Sequence, residues 1–533
     1  MEKKIDMNSN VSVLPNSLQT DELNKWLADA EGAEDISLRG ENVKHFDMGG
    51  NRRQAIIYAS PVHFREPGSQ EWKEIDNTLE ETTNAHGRRI LRNRSNRVRM
   101  EFPIENDGGN MASISDGSHT FAWTLDQTIE AMTPAVRTGA EMKHAQLMKT
   151  AQHLSKYVGR TIDSLQTADL EHEIESAQDR RTSIAKLCAE NTYANVRPGI
   201  TVRYSLNGET MKEDIILSNA ETLTSAALRL PKNYRYELSE NNRLHVIDPI
   251  TNEVCFIMST PLVYDAEGKE TIADVILEDR VEYVRLTYKL DNEYLSEAVF
   301  PVTIDPVVHT ATTNETVCDT YIWAKNPNTN YGDVFLMRCG DGSGGESLSL
   351  VKFNKLIKLR ASDTVLSAQL RVTAYDYPSD PEIMGCYPIK TAWEENTVTW
   401  NKMTPNNANH ISTDLIAYIP ATNPSFCYFD ITTQYRNWYL KDANGKSRNY
   451  GVALRRPPEV TSGGNYVEWM TAQFDSSRSP CMVVNYISHA GRKSWWQYES
   501  MSAGRAGTAY VDLYNGNLVY EHSDGALPAT ACP

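Results

Sequence analysis

The sequence predicts a mainly β fold, with an N-terminal β-rich domain carrying a helical insertion, then a β-sandwich, then the start of a further β region. Three observations carry this reading. Segments such as Asn96-Arg-Val-Arg-Met-Glu-Phe102 alternate apolar and polar residues with period two, as half-buried strands do. Clusters of Pro, Asn and Gly, such as Pro327-Asn-Thr-Asn-Tyr-Gly332, separate these segments as turns. Between Pro134 and Tyr193 the period lengthens to that of a helix, through Leu147, Ala151, Leu154 and Val158, then Leu170, Ile174 and Ala177.

Taken in order, residues 1–50 are polar and weakly patterned, a tail with one short helix expected at Thr20–Trp26. Residues 51–308 form the first β domain, opening with Gln54-Ala-Ile-Ile-Tyr58 and closing with Val299-Phe-Pro-Val-Thr-Ile-Asp-Pro306. The insertion at 134–193 is expected to pack as a helical hairpin on the outside of that domain. Its inward face would be Leu147, Leu154, Val158, Ile174 and Ile184, with no role in supporting the next domain. Residues 309–488 read as the sandwich, with Leu348 and Leu350, then Leu366, Ala368, Leu370 and Val372, alternating with polar neighbours. Residues 489–533 begin a third β region at Ser494-Trp-Trp-Gln-Tyr498. At 533 residues the chain exceeds one hydrophobic core, and its length suggests roughly three or four domains.

Composition narrows the partners. A net charge of −17 argues against a protein that tracks nucleic-acid phosphates, and Arg88, Arg89, Arg92, Arg94 and Arg97 read as solvated strand faces. No apolar run approaches the ~20 residues of a membrane-spanning helix. The start, Met-Glu-Lys-Lys-Ile, is basic but lacks the apolar stretch of a standard secretory signal. Eight cysteines show no CxxC and no metal-ligand spacing; five fall in the sandwich, an odd number, so free buried thiols are expected. Cys427 alternates in phase with Phe429 and Ile431, as a small core hydrophobe would.

No catalytic constellation emerges. Glu394 and Glu395 adjoin, so on a strand they face opposite ways and cannot act as paired carboxylates. His172-Glu-Ile-Glu-Ser176 begins like a zinc-protease helix but has Ser176 where the second histidine must stand. The chain therefore reads as not an enzyme.

The phrases Cys318-Asp-Thr-Tyr-Ile322, Pro327–Gly332, Ser349-Leu-Val-Lys-Phe353, Trp393-Glu-Glu-Asn-Thr-Val-Thr-Trp400, Phe429-Asp-Ile-Thr432, Asn449–Leu454 and Pro480–Tyr486 follow one another in a fixed order. Together they resemble the DNRLRE domain, a jelly-roll β-sandwich related to carbohydrate-binding modules. Phrases at 61–79, 195–204, 212–217 and 300–306 resemble the N-terminal region of secreted Rhs/YD-repeat proteins of the wall-associated protein A type. The stretch 494–519 is similar to the entry into their YD-repeat shell; no run of repeats, shell-closing motif or toxin follows in this chain.

The resemblance implies an extracellular or cell-surface protein whose partners are cell-wall or environmental polysaccharide and a downstream YD-repeat shell. It implies neither a nucleic-acid partner nor a membrane span. An alternative of another class is a polysaccharide-active enzyme, with residues 51–305 catalytic and the DNRLRE module as its binding part. For sugar binding by stacked rings, Trp323, Tyr377 and Trp469 lie nearest turn-rich stretches, whereas Trp393 and Trp400 belong to the family signature and are expected in the core. No cofactor is required. Such modules often hold a structural calcium, for which Asp319 and Asp430 are the candidate ligands against the plainer reading of strand-end carboxylates satisfied by backbone N–H groups.

Overall fold

The computed structural model describes residues 28–521, except 50, 107, 159–174, 240–241, 312–315, 333, 343, 361–362, 376–381, 404–408, 422–425, 441–446, 459–464, 474–476, 489–496, 505–506, 514–515 and 517. The chain is mostly β, with 50% strand and 11% helix, arranged as two antiparallel sandwiches, a small three-stranded sheet and a two-stranded pair of His63–Phe64 with Lys73–Glu74.

The first sandwich packs an eight-stranded sheet on an eleven-stranded one. Alternation builds its core directly: in Arg99–Pro103 the side chains of Met100 and Phe102 are buried while Arg99 faces solvent. Phe102, Phe121 and Trp123 from one sheet meet Tyr193, Tyr204, Met211, Ile215 and Phe256 from the other. Burial of such rings and branched chains is the main stabilising term, about 1.5–3 kcal/mol for each full side chain.

The second sandwich faces a seven-stranded sheet with a six-stranded one. Its core includes Tyr321, Met337, Leu370, Phe429, Tyr435 and Trp469, and Cys427 lies among them with Phe429 and Ile431, in the phase its sequence spacing indicates. Among the described residues all seven cysteines are buried, and none is in a disulfide.

Sheet membership departs from the expected division of the chain. The strands Ala33–Glu34, Val43–Asp47 and Arg52–Tyr58 are in the six-stranded sheet, where Arg52–Tyr58 pairs with Cys481–Ile487. Part of the expected tail and the opening of the expected first domain thus complete the second sandwich. The run Cys481-Met-Val-Val-Asn-Tyr486 is buried along its length because both faces of this sheet are covered. One face meets the sandwich core; on the other, Ile56, Tyr58, Cys481 and Val483 pack with Val62, Ile75, Leu187 and Cys188. The helix expected at Thr20–Trp26 lies outside the described residues.

The insertion also differs. Its ends are strands: Pro134–Thr138 pairs with Cys188–Arg197. Between them stand the helix Gly139–Val158 and the short helix Ala177–Thr182, the latter capped by a Ser176–Asp179 box. Leu147 is buried and Ile184 packs against the seam cluster, as expected for an inward face. The side chains of Leu154, Val158 and Ile174 lie outside those described. The short helix does touch the second sandwich. Tyr428 donates to Asp179 at 2.6 Å, and the Gln178 amide donates to Gln369 at 3.3 Å. The insertion therefore does not lie against the first domain alone: its short, polar returning arm finds hydrogen-bond partners on the second sandwich across the seam.

Candidate functional site

The second sandwich presents one pair of half-buried rings beside a glycine-rich hairpin. Trp323 ends the strand Val317–Trp323 and Tyr466 begins the strand Tyr466–Met470. Their ring centroids lie 6.2 Å apart at 88°. The Trp323 indole N–H donates to the Tyr466 hydroxyl at 3.1 Å, which itself donates to the Gly345 carbonyl at 2.8 Å. Both rings lie where no side chain would fit beneath them: a Cβ on Gly342 would stand 2.1 Å from the Tyr466 ring, and one on Gly344 2.4 Å from the Trp323 ring. The hairpin glycines thus make the bed for the rings.

Charged groups rim this pair. Lys325 Nζ and the Arg338 guanidinium stand 5.3 and 5.7 Å from the Trp323 ring centroid. Arg338 pairs with Glu468 at 2.8 Å and reaches Glu270 of the first sandwich at 3.5 Å. Burial works against the charge of Arg338, but Glu270, Tyr321 and Glu468 more than offset it and hold the guanidinium firmly protonated. Arg455 pairs with Glu346 at 2.8 Å, and Arg456 with Asp341 on the hairpin itself. Across the strand Tyr466–Met470, Tyr375 donates its backbone N–H to the Glu468 carbonyl and leaves its ring 47% exposed. Aromatic faces among fixed donors and acceptors can stack an apolar ring face and orient its hydroxyls.

Of the residues singled out from sequence, Trp323 is in this cluster. Trp469 is not, and its assignment as a platform is corrected: it is fully buried, because position 469 points inward between Val467 and its neighbours while Glu468 points out. Tyr377 lies outside the described residues. Trp393 is buried and Trp400 packs against the same secondary cluster, as their place in the signature suggests. Tyr466 was missed because its alternating strand resembles any other; the glycines at 340, 342, 344 and 345 were the available signal.

The two aspartates proposed for calcium stand on different sheets. Asp319 is buried and accepts the Ala472 N–H at 2.8 Å. Asp430 accepts from the Thr432 N–H at 2.9 Å and from its hydroxyl at 2.5 Å, fixing the start of the helix Thr432–Trp438. Each aspartate thus has at least one carboxylate oxygen held by a neighbouring donor of the chain. Elsewhere, Glu34, His63 and Glu74 bring ligand-type atoms within 4.8 Å of one another. Resident cations already serve these carboxylates: Lys44 lies 2.6 Å from Glu74 and Arg39 2.6 Å from Glu34. Burial raises the Glu34 carboxyl, but the His63 ring beside it at 3.7 Å, the hydrogen bonds from Arg39 and the charge of Lys44 drive it well below the usual range. This is an ion-pair network that ties the N-terminal strands down.

A β-sandwich with a half-exposed aromatic pair inside a ring of charged groups has the layout of a ligand-binding module. Residues 310–454 match carbohydrate-binding module family 96. That span contains Trp323 and Arg338 and stops before the strands Tyr466–Met470 and Cys481–Ile487, which complete the two sheets. No curated protein matches the chain. Seven solved chains do, among them the N-terminal domain of the Streptococcus gordonii adhesin Sgo0707, at 7% identity over 86% of this chain and 88% of that one. Its TM-score is 0.12, too low to bear on the fold. Among the described residues no helix is long and apolar enough to cross a membrane.

Proposed function

We propose that this chain is the non-catalytic N-terminal portion of a secreted or surface-displayed Rhs/YD-repeat protein, whose DNRLRE-like sandwich attaches it to cell-wall or environmental polysaccharide through Trp323 and Tyr466. The observation that carries the reading is the match of residues 310–454 to a carbohydrate-binding module. The carboxylates around the rings support recognition rather than turnover, since Glu468, Glu346 and Asp341 are engaged by Arg338, Arg455 and Arg456. Attachment to a following shell is supported by the three-stranded sheet over 498–521, which leaves Met501, Leu513 and Leu518 exposed by 73%, 58% and 65%. Native gel retardation of the full chain in a panel of soluble cell-wall and plant polysaccharides tests the binding role. Retardation by at least one glycan, lost in Trp323→Ala, is the expected result. No retardation by any of them reduces the sandwich to a spacer.

A further inference from the structure

The seam between the two sandwiches buries a lysine against two aspartates. Lys212 and Asp214 lie on the strand Thr210–Leu217, and Asp305 ends the strand Val302–Asp305. The pairs Ile215↔Ile304 and Lys212↔Val307 belong to one continuous register, joined by the Glu213 N–H donating to the Pro306 carbonyl at 2.9 Å. That register sets Asp214 opposite Asp305 with Lys212 on the diagonal, all three on one face of the sheet. The alternate residues Met211 and Ile215 enter the core of the first sandwich, so this face looks toward the second. There Lys212 Nζ sits 4.1 Å from the centroid of the Phe335 ring. It lies 2.9 Å from Asp305 Oδ2 and 3.2 Å from Asp214 Oδ1. The lysine side chain is 16% exposed, and those of Asp305 and Asp214 are 0% and 1%.

We propose that the Lys212 amine and the Asp305 carboxyl condense into an amide, an intramolecular isopeptide cross-link, with Asp214 receiving the lysine proton. The two acids have opposite environments. Burial raises the Asp305 carboxyl well above the usual range and the charge of Asp214 adds to this, against the opposing charge of Lys212; the balance favours the neutral acid, the form open to acyl transfer. Burial also raises Asp214, but the charges of Lys212 and Arg203 overcome it and keep the carboxylate ionised. Arg203 donates to Asp214 Oδ2 from Nε at 2.7 Å and from Nη2 at 2.5 Å, which leaves Oδ1 toward the lysine.

The lysine rests as an ammonium, held despite its burial by the charge of Asp214 and by its contact with Asp305, so the reaction starts with its proton passing to Asp214. The free amine attacks Asp305 Cγ, forming a C–N bond. The carboxyl OH then leaves with the second amine proton as one molecule of water. Reactants and products balance without any oxidant or co-reactant: amine plus acid gives amide plus water, and the first proton departs from Asp214 to solvent. Fixed approach of the two groups supplies the effective concentration that free amines and acids lack in water, and the Phe335 side keeps hydrolytic water away. The product joins residues 212 and 305 covalently between two neighbouring strands of the eleven-stranded sheet.

Intact-mass measurement on the purified, folded full chain under denaturing conditions tests this. The expected mass is one water below that of the sequence, and proteolysis yields one branched peptide containing both Lys212 and Asp305. Lys212→Arg restores the sequence mass, Asp305→Asn gives a loss of one ammonia, and Asp214→Asn restores the sequence mass while keeping a cooperative melt. A wild-type chain that melts cooperatively at its unshifted mass overturns the proposal, as does a water loss mapping elsewhere. A link that persists in Asp214→Asn overturns the role given to that carboxylate.

Discussion

The guanidinium of Arg371 donates to Thr182 twice, to its carbonyl at 3.1 Å and to its hydroxyl at 3.0 Å, and so joins the second sandwich to the insertion of the first. Arg371 is fully buried, donates also to the Ser479 carbonyl, and lies 4.4 Å from the centroid of the Phe426 ring. Replacing it with Met leaves these acceptors unpaired in a dry seam, at a cost of about 3 kcal/mol. Lysine does not restore the loss, because one ammonium cannot span the same acceptors as a planar fork. Urea unfolding of both variants measures this; a loss below about 1 kcal/mol means the seam is wet and the bonds are exchanged for water.

The same seam predicts the outcome of removing the insertion. Gln54 donates to Gln178 and to Asn485, and Asn485 donates to Ser367, all buried. Deleting 139–187 with a short Gly/Ser bridge strips one end of this chain and lowers the melting transition of the second sandwich by more than a few degrees. An unmoved transition in a folded variant would show the insertion to be a passenger.

Trp323 and Trp469 separate binding from stability. Trp469→Ala opens a cavity in a closed core and costs about 3–5 kcal/mol, whatever ligand is present. Trp323→Ala removes a half-exposed ring and weakens polysaccharide binding at least ~10-fold, a loss of about 1.4 kcal/mol, with a much smaller effect on melting. Calorimetric titration beside thermal melts reads both. Equal losses of stability in the two variants contradict the platform assignment.

Much of this was legible in sequence because it is local. Met100 and Phe102 declare their strand by alternation alone, and the helix Gly139–Val158 declares itself by period. The pairing of Arg52–Tyr58 with Cys481–Ile487 leaves no such trace: a strand's periodicity says which face is buried, never which partner lies beside it. Trp469 was misjudged for a related reason. Its polar neighbours suggested a turn, but Glu468 is simply the outward residue of the same strand, paired with Arg338. The Lys212–Asp214–Asp305 cluster needed the register of two strands far apart in sequence before its three groups could be seen together.

For Asp430 the prediction is structural. Its carboxylate orients the Thr432 hydroxyl, which in turn accepts the Ala368 N–H at 3.0 Å. Asp430→Ala costs about 1 kcal/mol, as loss of a local side-chain to backbone bond does. Adding calcium or a chelator shifts the melt of neither wild type nor variant. A calcium-dependent rise seen only in the wild type would return Asp430 to a metal site.

Glu213 makes the first sandwich sensitive to pH. It lies 1% exposed in the core, where Oε1 accepts from Trp123 at 2.7 Å and from the Tyr204 hydroxyl at 2.8 Å. Burial pushes its carboxyl up from 4.5 to about 7, although the two hydrogen bonds oppose the shift. Below pH 4.5 the group is protonated in folded and unfolded chains alike, and its contribution to stability is fully present. As pH rises from 4.5 to about 7 the unfolded chain releases its proton first, so the folded state loses ground, by about 3 kcal/mol in all. Glu213→Gln cannot ionise and has no such fall. Urea unfolding at pH 5 and pH 8 should therefore show a steeper drop for wild type than for the variant. Parallel profiles would mean that Glu213 titrates at its ordinary value, and that water reaches the hydrogen bonds joining Trp123 and Tyr204.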